Sequence, residues 1–211
     1  MPRTARMVIP GMALHVRHRG HNRSACFFGP EDYTLYLGLL ARSAQEHGCA
    51  VHAYCLMPNH VHLLVTPATE SGLALTMKRV AQHYSQHVNK ANGRTGSLWE
   101  GRYRSCLVPT PGYILACYRY IELNPVAAGM IDHPRAYRWS SYRENIGDIR
   151  GSFVEAHAAF PGSDAYRGLF AEELAPQIVD DFRRATAGGY AVGTTRRKRG
   201  RQMRKIGTVP I

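Results

Sequence analysis

Two histidines, a tyrosine and an asparagine are the residues of this chain whose types and spacing could do chemistry together. His60 and His62 flank Val61 in a segment entered through Met57-Pro58-Asn59 and left through Leu63-Leu64-Val65-Thr66-Pro67. A β-strand sends alternate side chains to one face, so both imidazoles point the same way while Val61 and Leu63 turn into the core. Imidazole nitrogens converging from a strand edge form a small seat for a divalent cation. Two surface histidines on a polar strand face satisfy the same spacing. Tyr120 and Asn124 lie four apart in a helical segment and so share one of its faces. A helical tyrosine is commonly a core residue with a satisfied hydroxyl, and an asparagine before proline commonly ends a helix. Placed beside the histidine strand, however, the four residues make one reaction centre. His60, His62 and the Asn124 side-chain oxygen would hold Mg2+ or Mn2+, which polarises a phosphodiester oxygen while the Tyr120 hydroxyl attacks phosphorus. A free phenol titrates near pH ~10, so the cation and an enforced in-line geometry must help it lose its proton at neutral pH.

The elements that must position these residues can be read along the chain. Gly11 to Gly20 alternates Leu14 and Val16 against His15 and Arg17, a first strand. Gly20-His21-Asn22-Arg23 is a basic turn. Pro30-Glu31-Asp32 opens a helix with acids in its first turn, where they complement the dipole, and Gly48 stops it. Strands follow over 50–56 and 60–66, too close in sequence to pair other than antiparallel. A second helix runs from Gly72 to about Asn92, a strand covers 103–108, and Thr110-Pro111 opens a third helix that Pro125 ends near Asn124. A short helix over about 171–185 completes the pattern. The order β-α-β-β-α-β-α predicts an α+β fold, an antiparallel sheet with helices packed on one face.

Composition narrows the class. The chain has 211 residues, long enough for one good core plus a tail, and no apolar stretch approaches the ~18 residues of a membrane span. No secretory signal follows the N-terminus, and five cysteines without CxxC spacing suit reduced thiols in a cytoplasm. The net charge is +12, and it is unevenly spread. No acidic residue follows Asp181, whereas Arg183, Arg184, Arg196, Arg197, Lys198, Arg199, Arg201, Arg204 and Lys205 do. Setting those nine aside from 27 cations leaves 18 against 15 anions, a body of only +3. A basic, aromatic-poor tail is expected to be disordered when free and to suit a polyanion through counterion release. The domain reading is therefore a catalytic unit over 1–145, a helical extension over 146–185 and a basic tail over 186–211.

Met57-Pro58-Asn59-His60-Val61-His62-Leu63-Leu64 resembles the histidine–hydrophobic–histidine motif of the HUH single-tyrosine transposases. Tyr120-Ile121-Glu122-Leu123-Asn124-Pro125-Val126-Ala127-Ala128-Gly129 is similar to the catalytic helix end of their REP-associated tyrosine transposase branch. Gly11 to Arg23 with Phe27-Phe28, Leu98 to Tyr103, and Tyr137 to Tyr142 match further blocks in order, so the resemblance covers about residues 8 to 145. It implies a ferredoxin-like HUH nuclease fold acting on single-stranded, hairpin- or palindrome-containing DNA. It also implies a covalent 5′-phosphotyrosine intermediate that leaves a free 3′-hydroxyl. By position it makes Tyr120 the nucleophile, His60 and His62 metal ligands, and Asn124 the polar third ligand (often Gln in relatives). The expected location is the cytoplasm, in association with the nucleoid, and a homodimer is one assembly left open. The chain departs from the common pattern at His18-Arg19-Gly20, where relatives have a Thr-x-Arg-Gly turn, and after Tyr142.

Other residues have competing readings. Arg17, Arg19, Arg23, Arg102 and Arg104, with Arg196, Arg197, Lys198 and Arg199 of the tail, are the expected DNA contacts. Arg102 and Arg104 flank Tyr103 beside Trp99, an arrangement suited to phosphates with base stacking, or equally to an edge strand with a core aromatic. His15, His18 and His21 are expected at the DNA backbone, and His83 and His87 on a helix surface or facing DNA. Glu100 and Glu122 could assist as acceptors behind the ligands or as proton carriers, neither being assigned the role. Two other functions fit the same fold: a catalytically idle hairpin-DNA-binding regulator, and an HUH relaxase or replication initiator. Retention of His60, His62 and Tyr120 argues against the first. The second often has another nucleophilic tyrosine at the position where Asn124 stands.

Overall fold

A computed structural model describes residues 6–149 and 153–194. Four strands form one antiparallel sheet: β1 (Leu14–Arg19), β2 (Cys49–Met57), β3 (His60–Pro67) and β4 (Arg104–Leu107), in the spatial order β2-β3-β1-β4. The two-residue turn Pro58-Asn59 joins β2 to β3 as the short spacing requires, pairing Met57 with His60. β1 lies against β3 with Arg17 opposite His62 and Arg19 opposite His60. Since opposed residues project to the same face, β1 sends His15, Arg17 and Arg19 to the histidine side of the sheet.

The other face of the sheet carries Leu14, Val16, Val61, Leu63 and Val65, all essentially inaccessible to solvent. Against it pack α1 (Pro30–Glu46), through Tyr36 and Leu40, and α2 (Gly72–Ala91), through Leu73, Met77, Val80, Tyr84 and Val88. The α2 positions recur every three or four residues, which is why the helix buries one stripe and leaves the rest wet. α1 begins as its composition predicts, with Pro30 in the first turn and the Asp32 carboxylate accepting from the Phe28 amide at 2.7 Å.

The expectation of helices on one face needs a correction. α1 and α2 occupy that face, but the opposite face is covered too, by α3 (Pro111–Glu122) and by α7 (Pro176–Gly188). Three shorter helices lie between them: α4 (Asn124–Ala127), α5 (Tyr142–Asn145) and α6 (Ser163–Gly168). The cause is visible in β2 and β3, whose histidine-side positions include Ala53, Cys55 and Leu64, each fully buried. Apolar surface on both faces must be removed from water on both. Ile114, Cys117 and Ile121 of α3 and Phe182 and Ala185 of α7 complete that second core. Thr110 caps α3, its hydroxyl accepting from the Tyr113 amide, and Pro111 occupies the first turn. Gly189, at φ 71°, ends α7 in the left-handed conformation glycine adopts without strain. No helix among the described residues is long and apolar enough to cross a membrane.

Candidate active site

The site lies on the second face, where β1, β3, α3 and α7 meet. One end of it is held at the Pro58-Asn59 turn. Gly20, at the end of β1, donates its amide to the Asn59 carbonyl at 2.9 Å. A Cβ there would sit 2.3 Å from the Ser24 carbonyl oxygen, so only glycine lets the basic turn fold this close. The same turn fixes the first imidazole. The Asn59 amide nitrogen donates to the Arg23 carbonyl at 3.1 Å, and its Oδ1 faces His60 Nδ1 at 2.6 Å. A carbonyl only accepts, so Oδ1 must be the oxygen, Nδ1 of His60 must carry the proton, and Nε2 keeps its lone pair.

His62 is 2 % exposed and its ring lies 4.9 Å from that of His60, nearly perpendicular to it. Its Nδ1 is 2.8 Å from Nε2 of His15, a residue 1 % exposed. Both metal-candidate imidazoles are neutral. Burial, reinforced by Arg19 and Arg17, pushes His60 down to about 4. Burial, then His15, His60 and the same arginines, hold His62 well below the ordinary imidazole range. Neutral imidazole is the form that ligates a metal.

Tyr120 meets these rings. It lies edge-on to His62 at 5.5 Å and to His15 at 5.4 Å, and stacks on Phe182 at 5.2 Å with planes 16° apart. Burial raises its phenol above the usual value, while Arg183 and Arg17 pull it back, Arg183 also through a hydrogen bond. Asn124 turns toward its own helix, its amide nitrogen donating to the Tyr120 carbonyl at 2.6 Å, which leaves Oδ1 as the acceptor. Among the described residues no group of three or more His, Cys, Asp and Glu side chains could hold a metal ion, so a cation here needs an oxygen ligand from elsewhere. His60, with its Nε2 available, and the adjoining His62 are nitrogen donors that suit Mn2+ at least as well as Mg2+, because imidazole is the softer ligand.

The family model for IS200-like transposases matches residues 9–124. The chain belongs to the IS200-like transposase family. A curated Haemophilus influenzae protein named for REP-associated tyrosine transposase activity is 22 % identical over 120 residues, covering 50 % of this chain and 68 % of its own. A solved structure of a REP-associated tyrosine transposase bound to a REP hairpin superposes with a TM-score of 0.59 at 15 % identity, over 76 % of this chain and 97 % of the other. That likeness places the fold. The family-model match ends at Asn124, so α7, with Phe182 and Arg183 against Tyr120, lies beyond the matched residues.

The remaining sequence-predicted contacts divide. Arg17 and Arg19 flank the histidines on their own face, and Arg23 is exposed beside the Asn59 turn. Arg104 is exposed and donates to the Ala187 carbonyl at the end of α7 at 2.8 Å; Arg102 is exposed at the edge of a shallow cavity of about 570 Å³. The aromatics between them are unavailable for base stacking: Trp99 is stacked on His18 at 4.1 Å and Tyr103 lies under Arg6 at 3.8 Å, both buried. Arg196, Arg197, Lys198 and Arg199 lie outside the described residues. His15 is a correction, since a residue buried between His62 and α7 cannot reach a DNA backbone. His18, buried against Trp99, is another, whereas His21 is exposed. His87 and His83 are exposed on α2, His87 3.9 Å from Asp32. Sequence reasoning missed Phe182, Arg183 and Thr186. The one signal for α7 was an apolar periodicity too short to say which face it covers.

Proposed function

We propose that this protein cleaves and rejoins single-stranded, hairpin-containing DNA through a 5′-phosphotyrosine at Tyr120, in the cytoplasm and at palindromic repeats. The observation that carries the proposal is the edge-on meeting of the Tyr120 ring with His62, whose ring in turn meets His60, from residues 58 apart in sequence. The hairpin-bound transposase relative supports the substrate class. Arg17 and Arg19 concentrate positive charge beside the histidines, where a phosphate would dock. Phe182 stacks on the phenol; burial raises the phenol's pKa, and Arg183, with Arg17, works against that rise. The Tyr120 oxygen forms a bond to phosphorus as the bond to the 3′-oxygen breaks; the phenolic proton leaves and the departing oxygen ends as a 3′-hydroxyl. Attack by a 3′-hydroxyl on the aryl phosphate reverses the step and releases the tyrosine.

A divalent cation held by Nε2 of His60, Nε2 of His62 and Oδ1 of Asn124 would polarise a phosphate oxygen and offset its charge during attack. The experiment is incubation of end-labelled hairpin oligonucleotides with and without Mn2+, followed by denaturing electrophoresis. The wild type should give a metal-dependent covalent adduct, and Tyr120→Phe should bind the hairpin without forming one. An adduct that persists in the phenylalanine variant overturns the nucleophile. Hairpin binding with no adduct under any metal would leave a DNA-binding regulator instead.

A further inference from the structure

His15 is a buried histidine with both ring nitrogens engaged, and the proposed reaction makes no use of it. Its Nε2 is 2.8 Å from His62 Nδ1 and its Nδ1 is 2.7 Å from the Thr186 hydroxyl. The two imidazole planes are 6° apart with centroids 5.0 Å apart, which, with the nitrogens so close, puts the rings edge to edge in one plane rather than face to face. That is the geometry of a strong in-line hydrogen bond. Thr186 is 2 % exposed on α7, and its hydroxyl also lies 3.3 Å from Cys106 Sγ. A buried chain therefore runs from His62 through His15 to Thr186, joining β3, β1 and α7.

Only two proton arrangements satisfy this chain, because each neutral imidazole has one N–H. In the first, His62 Nδ1–H donates to His15 Nε2, and His15 Nδ1–H donates to the Thr186 oxygen. His62 Nε2 then keeps its lone pair. In the second, the Thr186 hydroxyl donates to His15 Nδ1, His15 Nε2–H donates to His62 Nδ1, and His62 Nε2 carries the proton. A protonated Nε2 cannot ligate a cation. His60 is already held by Asn59 with its Nε2 free, so the first arrangement gives both histidines the same orientation of donor.

We propose that His15 is a positioning residue that holds His62 in its Nδ1–H form, its own Nδ1–H donating to the Thr186 hydroxyl of α7 at the far end of the chain. Helix α7 thereby sets the ligand competence of a strand histidine from beyond residues 9–124, the part matched by the family model. The proposal rests on His62 being a ligand, but its first readout does not. An outer partner of a metal-ligating histidine typically contributes about 10- to 100-fold in affinity.

The test uses the full chain, with imidazole 15N shifts recorded without metal and Mn2+ affinity measured by titration. Three proteins are compared: wild type, Thr186→Val, which keeps the shape and removes the acceptor, and Thr186→Ser, which restores it. His62 should be Nδ1–H in the wild type and in the serine variant, and Nε2–H in the valine variant. Mn2+ affinity should fall at least about 10-fold in the valine variant and recover with serine. An Nε2–H wild-type His62 overturns the proposal without any variant having to fold. Unchanged shifts and affinity in Thr186→Val overturn it equally. A wild type with the expected tautomer but no Mn2+ binding would count against the metal site instead, and so separates the two readings.

Discussion

Glu122→Gln should abolish a pH dependence of stability whose size follows from how the carboxyl is housed. Glu122 is fully buried on α3; its Oε1 accepts from Ser141 Oγ at 2.6 Å and Asn145 Nδ2 at 2.7 Å, and its Oε2 from the Tyr166 hydroxyl at 2.5 Å. Burial pushes the carboxyl up from 4.5 to about 7, against the pull of those three donors. The native state then holds this proton more tightly than the unfolded chain does. The contribution is therefore fully present below the unfolded value and is lost as pH rises through about 7. At about 1.4 kcal/mol per tenfold, the interval is worth about 3 kcal/mol by pH ~8, most of it lost between pH ~5 and ~8. Glutamine mimics the protonated acid: its oxygen keeps Ser141 and Asn145, and its amide nitrogen donates to Tyr166. The assay is urea unfolding of both proteins across that pH range at constant ionic strength, taking the difference between the two curves. Buried neutral histidines such as His52 and His18, both pushed down to about 4 by burial, lose stability in the opposite direction as pH falls, but they act alike in both proteins. The variant should match wild type near pH ~5 and exceed it by about 2–3 kcal/mol at pH ~8. A difference that is flat across the range, or one favouring wild type at high pH, refutes the reasoning.

Phe182→Ala should destabilise the protein by about 3–5 kcal/mol, read from the urea midpoint, because a fully buried aromatic leaves a cavity between Tyr120, Tyr113 and His15. A cost below about 1 kcal/mol would mean that α7 is not a wall of the site. Deleting residues 195–211 removes seven cations and should weaken hairpin binding broadly. The slope of log K against log salt should fall by about 0.7 for each single-strand phosphate that the shortened protein leaves unneutralised, and an unchanged slope would exclude the tail from binding.

Much of the scaffold was legible in local signals. Pro30, Gly48, Thr110-Pro111 and Pro125 bracket α1 and α3 because each acts on its own neighbours' backbone. The parity of His60 and His62 follows from strand geometry alone, as does their separation from Val61 and Leu63. Helical angles alone prefer Tyr120 over Tyr118 as the companion of Asn124, since only residues three or four apart share a face. What no local rule supplies is register. His15 has the same parity as Arg17, but that it meets His62 depends on β1 pairing with β3 so that Arg17 opposes His62. Glu122 looked like an idle acid because Ser141, Asn145 and Tyr166 are brought to it from 19 to 44 residues away.

By itself the sequence determined the residue types of the site, the faces they occupy on their own elements, and the family. Side-chain direction within a strand or helix is set by backbone geometry, which short-range sterics dictate. Only the tertiary structure decided that α3 and α7 cover the histidine face, that His15 is an inner partner of His62, and that Trp99 and Tyr103 are spent inside the core. Those outcomes depend on which apolar surfaces find each other across the whole chain, and burial is a property of the assembled layers rather than of any one segment.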